Sequence, residues 1–191
     1  IASALASRAL GEKLALSFLD DLFLAGLVQE IGILAYSAII PEEYNKILAS
    51  TTDHDQLLNA ERQILGAGHD ELGYALLQKW HIPDYIALSC INSHSQPTPK
   101  DLGPTLQSCV AVSRYLADYF LFPHDTEKMT ALTETAHNWL GLDHAALIDV
   151  IKIMEVSLKS VEDLFDISIH DTLEADGVLA QAKELLMIHS L

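Results

Sequence analysis

Apolar residues recur at helical spacing along nearly all of this 191-residue chain. Nowhere does a strand-like alternation of apolar and polar positions run beyond three or four residues. That pattern excludes a sheet-based core and predicts an all-α fold, a bundle of about nine or ten helices. Leu5, Ala9 and the pair Ala15/Leu16 keep one face of a first helix over residues 2–16. Phe23, Leu24, Leu27, Ile31 and Leu34 mark a wide buried stripe on a second, over 18–36. Its first turn carries Asp20 and Asp21, where carboxylates suit the helix dipole. Pro41 with Glu42 and Glu43 opens another helix, and Asp53 caps one that Gly66-Ala67-Gly68 ends after Leu65. Further helices are expected over 70–80 and 83–93. A loop over 95–104 holds three of the six prolines. Helices follow over 106–122, over 125–140 (capped by Asp125 or Thr126 and stopped by Gly141) and over 143–165. A short β-like break at 167–169 precedes a last helix over 171–188.

Composition narrows the function classes. Half of the residues are apolar, enough for a substantial core. Lys and Arg number 11 against 27 Asp and Glu, a net charge of −16. A chain this acidic has no electrostatic footprint for nucleic acid and is repelled by anionic lipid surfaces. The two cysteines, Cys90 and Cys109, exclude a disulfide framework and a cysteine-based zinc site. They are expected as small buried residues in a reducing, cytoplasmic compartment. The apolar runs before and after Gln29-Glu30 are each shorter than the roughly 20 residues that span a bilayer. Ile1 is not a natural start and no charged segment with a cleavage site precedes it, so the N-terminus is expected to be cut from a longer protein. No phosphate-binding glycine loop, dinucleotide fingerprint or nucleophile elbow is present.

Four side chains are candidates for chemistry. Glu30 lies mid-helix in the apolar context Gly26-Leu27-Val28-Gln29-Glu30-Ile31-Gly32. A carboxylate there is costly unless it is paired, hydrogen-bonded or metal-bound. His69 follows Gly68 at a helix start, His94 ends the next helix, and Asp118 sits on the later long helix. These are the donor types of an oxygen/nitrogen metal site, and equally of a buried hydrogen-bond network with Glu30 anchored to His69. The adjacent pairs His69-Asp70 and His170-Asp171 read as coincidences of a chain with nine histidines. His54, His81, His124, His137, His144 and His189 read as ordinary polar residues.

The segment Gly26–Gly32 resembles the Gly-Leu-Leu-His-Asp-Ile-Gly signature of the HD superfamily. Glu61-Arg62 with Gly66, His69-Asp70-Glu71-Leu72-Gly73, Leu76-Leu77, Lys79-Trp80, Ile82-Pro83 and His94 follow in order. This ordered set, from about Ala2 to Asp118, is similar to the HDOD family, the HD-related output domain of bacterial signalling proteins. The resemblance implies an all-helical, HD-like fold and a regulatory role, often beside receiver, GGDEF or EAL domains, with no catalytic activity of its own. Catalytic HD enzymes use an adjacent His-Asp pair to help hold metal ions that activate a water. Here Gln29 and Glu30 stand at those positions. An amide cannot replace an imidazole on a transition metal, and the carboxylate is one methylene longer. An upstream histidine often supplied by the superfamily falls before Ile1 or is absent. The resemblance therefore implies no catalytic residue, no cofactor, and a ligand-binding or vestigial site at Gln29, Glu30, His69, His94 and Asp118. If any metal binds, Glu30, His69, His94 and Asp118 would hold it.

The expected organisation is an HDOD-like core over 1–122, C-terminal helices packed on it over 123–170, and a connector helix over 171–191. More than half of the net charge falls after residue 120. Ala175, Leu179, Ala182 and Leu186 make a stripe for packing on the body or on a partner helix. Leu164-Phe165-Asp166-Ile167 with the helix after it resembles the connector that precedes a GGDEF domain. The expected function is a non-catalytic domain that senses a small-molecule ligand or partner and controls an attached or partner output domain, in cyclic-di-GMP signalling if that domain is GGDEF. No nucleic acid or membrane partner is expected, and a homodimer is compatible. The alternative is a metal-dependent phosphohydrolase acting on a nucleotide or cyclic dinucleotide through a degenerate HD site.

Overall fold

The computed structural model describes residues 1–94, 105–121 and 126–165, with side chains for 1–94, 105–120 and 126–161. The fold is all-α. Ten helices form among the described residues: α1 (Ala2–Lys13), α2 (Leu19–Val28), α3 (Ile31–Ile39), α4 (Pro41–Ala49), α5 (His54–Leu65), α6 (His69–Lys79), α7 (Asp84–Asn92), α8 (Leu106–Leu121), α9 (Thr126–Leu140) and α10 (His144–Phe165). The expected loop over 95–104, the break at 167–169 and the helix over 171–188 lie outside the described residues, and so does Asp125 as a cap.

Local chemistry accounts for most boundaries. Pro41 opens α4 with Glu42 and Glu43 in its first turn. Asp53 caps α5 through its carboxylate, which accepts from the Gln56 backbone N–H at 2.8 Å. Gly66, at φ +84°, closes α5 in the left-handed region. Asp143 caps α10 by accepting from Ala146 N–H at 2.8 Å. The first helix stops at Lys13 rather than near residue 16: Ala15 takes a positive φ of 54°, and Leu16 N–H donates back to the Gly11 carbonyl at 2.9 Å.

The chain divides into two compact units, one of Ile1–Gly26 with the described residues from 105 onward, the other of Leu27–Gln96. In the first, α1 lies against α8 and α10, and α8 against α9. Leu10, Leu22, Leu116, Met129, Leu132 and Ile151 are among its fully buried side chains. Gly26 permits α2 to touch α1, since a Cβ there would lie 2.5 Å from the Ser7 hydroxyl and 2.7 Å from the Ser3 carbonyl.

In the second unit α3 packs on α4 and α6, and α6 on α7. Tyr44, Ile47 and Leu57 form one small apolar cluster, and Leu77, Ala87 and Cys90 another. The single helix expected over 18–36 is two helices, and its expected buried stripe is not buried: Leu27 and Leu34 are exposed, Phe23, Leu24 and Ile31 only partly covered, and Leu22, Ala25, Gly26 and Gly32 face inward instead. They part at a Gln29-Glu30 turn, where Glu30 takes φ −107° and ψ 19°. Two contacts favour the break. Glu30 leaves the helical path to meet histidines, and α3 restarts so that Gly32 lies against the His69 backbone. A Cβ on Gly32 would sit 1.9 Å from the His69 carbonyl oxygen. Gly73 on α6 faces the same crossing, with the Gly32 nitrogen 3.2 Å from where its Cβ would be. Taken through this turn, Leu19–Ile39 is 21 residues long and holds an 18-residue window of mean hydropathy 1.7, enough by length and composition alone to cross a membrane, a test that the core helix of a soluble protein also passes.

The crossing sets a stability order. Gly32→Ala forces backbone from backbone and should cost about 3 kcal/mol. Gly66→Ala meets open space and pays only for its left-handed φ, about 1 kcal/mol. Urea denaturation of the two variants checks the order, and equal losses would contradict the tight α3–α6 contact.

Candidate histidine and carboxylate site

The site is built upward from Glu61, a wholly buried carboxylate on α5. One oxygen, Oε2, accepts the His69 backbone N–H at 2.7 Å, one of the donors that a helix start leaves unsatisfied. The same oxygen lies 2.6 Å from His69 Nδ1. The other accepts the Tyr44 hydroxyl at 2.5 Å. Burial alone would raise the Glu61 carboxyl. The hydrogen bonds from the His69 ring, the Tyr44 hydroxyl and the His69 backbone outweigh it and lower the carboxyl below its ordinary value. Burial, followed by the bond to Glu61, pushes the Tyr44 hydroxyl up. With Nδ1 committed to Glu61, Nε2 is the His69 ring atom left to meet other partners.

That nitrogen faces the rest of the site. His69 Nε2 lies 3.0 Å from His94 Nε2 and 3.4 Å from Glu30 Oε2. His54 Nε2, from the first residue of α5, lies 3.0 Å from the same Glu30 oxygen. Glu30 Oε1 is 3.8 Å from His94 Nε2. The His54 and His94 rings stack with centroids 5.0 Å apart and 8° between planes, while His69 stands at 79° to one and 77° to the other. His69 is wholly enclosed and His94 nearly so, whereas Glu30 and His54 keep about a quarter of their side-chain surface in solvent (28% and 24%). The cluster is therefore reachable from one side. Burial alone would raise the Glu30 carboxyl; the His54 hydrogen bond and the charges of His54, His94 and His69 outweigh it and hold it at about 2.

Of the residues singled out from sequence, Glu30, His69 and His94 come together. Gln29 is wholly buried in the adjoining turn. Asp118 is half-buried on α8, in the other unit, and is not among the four clustered donors. His54 takes the fourth place, with one donor atom of each residue within 4.8 Å of the others. Its sequence position gave little signal beyond lying directly after the helix cap Asp53. Asp70, the literal partner of His69 in sequence, turns away to Arg62 at 2.6 Å. Glu71 accepts the Gly68 N–H at 3.0 Å and helps start α6. Three imidazoles and one carboxylate form a donor set that fits a transition-metal ion, and also a proton-shared polar network.

Two outcomes follow. Glu61→Ala strands three buried donors and should cost about 3 kcal/mol or more, against about 1.5 kcal/mol for Tyr44→Phe, by chemical denaturation. Glu30 is depressed in the fold. Its ionised form therefore adds stability that is complete above the ordinary value of 4.5 and is lost as pH falls through about 2. The Tm advantage of wild type over Glu30→Gln should shrink across that window; an advantage unchanged from pH 6 down to about 2 would remove the carboxylate–imidazole pairing.

A comparison with curated proteins finds no match. A solved structure from Shewanella amazonensis SB2B, of a protein provisionally named a phosphohydrolase, is similar with a TM-score of 0.58 at 17% identity, over 96% of this chain and 60% of the other. At that identity the likeness is one of fold, and the chain spans about 60% of that protein's length. The HDOD domain family matches residues 1–97, a span that holds all four clustered side chains and the Glu61 anchor beneath them; the chain belongs to that family.

Proposed function

We propose that this chain is a non-catalytic regulatory domain whose sensed element is the Glu30/His54/His69/His94 cluster. Occupancy of the cluster biases an attached or partner output domain, a GGDEF cyclase in cyclic-di-GMP signalling being the preferred candidate. One observation carries the reading. The position where the HD signature has an imidazole holds Gln29, a wholly buried amide, and the clustered donors include a single carboxylate. Two-metal hydrolysis needs donors for two ions about 3.5–4 Å apart and a water between them. Four donors within 4.8 Å suit one occupant. An occupant that favours one of two helical packings shifts their populations by its difference in affinity.

Cys90 and Cys109 are free and buried, with thiols pushed up to about 12 mainly by burial, which suits a reducing cytoplasm. The exposed Leu34 and Ile39 of α3 offer apolar surface to the output domain or to a second copy. The net charge of −16 supports a partner other than nucleic acid or an anionic membrane.

A metal-dependent phosphohydrolase acting on a nucleotide or cyclic dinucleotide is the second reading. It is favoured by the imidazole-rich donor set and by the provisional name of the Shewanella protein. The two separate in one assay. Purified protein with Mn²⁺, Mg²⁺ or Zn²⁺ is given cyclic-di-GMP or bis(p-nitrophenyl) phosphate. The regulatory reading expects no release above that of His69→Ala, and turnover that disappears in His69→Ala overturns it. In the parent protein, His94→Ala should change output activity severalfold; unchanged output rejects a sensing role for the cluster.

A further inference from the structure

We infer that Glu30, His54, His69 and His94 form a closed site for one divalent transition-metal ion of the zinc class, with His54 supplying an imidazole that the HD signature would have placed at position 29. The inference rests on the proposed regulatory reading, because it names what occupies the sensed cluster.

Donor spacing is the first argument. Metal–nitrogen bonds of about 2.0–2.1 Å in a tetrahedron put neighbouring donors about 3.3–3.4 Å apart. The separations here are 3.0 Å for His54–Glu30, 3.0 Å for His69–His94, 3.4 Å for His69–Glu30 and 3.8 Å for His94–Glu30. These four of the six pairs bracket that value, two of the Glu30 separations being through Oε2 and the one to His94 through Oε1, and one donor atom of each residue lies within 4.8 Å of the others.

Ring orientation is the second. A ligating histidine donates its remote N–H to a carboxylate or carbonyl, which fixes the tautomer and raises the basicity of the other nitrogen. His69 meets that requirement through Glu61 at 2.6 Å, and Glu61 is itself held by Tyr44 at 2.5 Å. His69 Nε2 then points at His94 Nε2 across 3.0 Å, two nitrogens converging on common space with a carboxylate beside them.

Donor chemistry is the third. Three imidazoles with one carboxylate favour zinc-class ions over Mg²⁺ or Ca²⁺, which take oxygen ligands. The fourth donor also decides what the ion would do. Catalytic zinc keeps one position for water, whereas structural zinc has four protein ligands. His54 fills the position that a reactive water would need, so the site holds its ion as a bound signal or a clamp between α3, α5, α6 and the end of α7. His54 is set by the Asp53 cap, which starts α5 one residue before it.

The test uses the whole chain, stripped of metal by chelation and titrated with Zn²⁺, and separately with Co²⁺. Wild type should take up one ion per chain, with the visible absorption of four-coordinate Co²⁺ and a raised Tm. His54→Ala and Glu30→Gln should each weaken uptake 100-fold or more and change the Co²⁺ spectrum. Glu61→Gln should weaken it 10–100-fold through the His69 orientation. Asp118→Ala should bind like wild type. Circular dichroism of each metal-free variant separates lost ligation from lost folding. His54 is partly exposed, so its truncation leaves the helices intact. Absence of saturable uptake by wild type overturns the inference, as does His54→Ala binding with unchanged affinity and spectrum; neither touches the hydrolysis assay on which the regulatory reading stands. Uptake accompanied by phosphoester turnover supports the ion and rejects the non-catalytic reading instead.

Discussion

A single buried carboxylate organises the site. Glu61 receives the first backbone N–H of α6, the ring of the residue that carries it, and a tyrosine hydroxyl from α4. Buried carboxylates are expensive unless their oxygens are fully bonded. Here three short donors meet that cost and tie α4, α5 and α6 at one point. Among the described residues, two apolar clusters of the second unit gather around Tyr44 and Leu77, and the first of them shares Tyr44 with the polar network.

The fold class was legible because helical periodicity is a local property repeated many times. Caps such as Asp53 and stops such as Gly66 and Gly141 follow from backbone chemistry that needs no tertiary information. The break at Gln29-Glu30 was not legible. Periodicity runs straight through it, and the partners that favour the turn lie 24 and 39 residues away in sequence, at His54 and His69. A tertiary interaction overrode local helix preference there.

The same limit governs the site. Glu30 stood out as a charge in an apolar run, and His69 and His94 stood out through the ordered resemblance. His54 carried no such mark, because a histidine after a cap is an ordinary surface residue until the helix is placed. Asp118 shared a donor chemistry with the others, yet it belongs to α8 and the other unit. Residue type narrows the candidates, and only helix packing selects among them.

The Gly32–His69 crossing has a mechanical meaning. Where two helices touch through side chains, rotamer changes absorb small displacements. Here backbone meets backbone, with Gly73 on the facing side and the Tyr36 hydroxyl tethered to the Ala67 carbonyl at 2.8 Å. Close backbone contact leaves little room at this point for either helix to shift without the other, so the spacing of α3 and α6 is fixed by main-chain atoms rather than by side-chain packing.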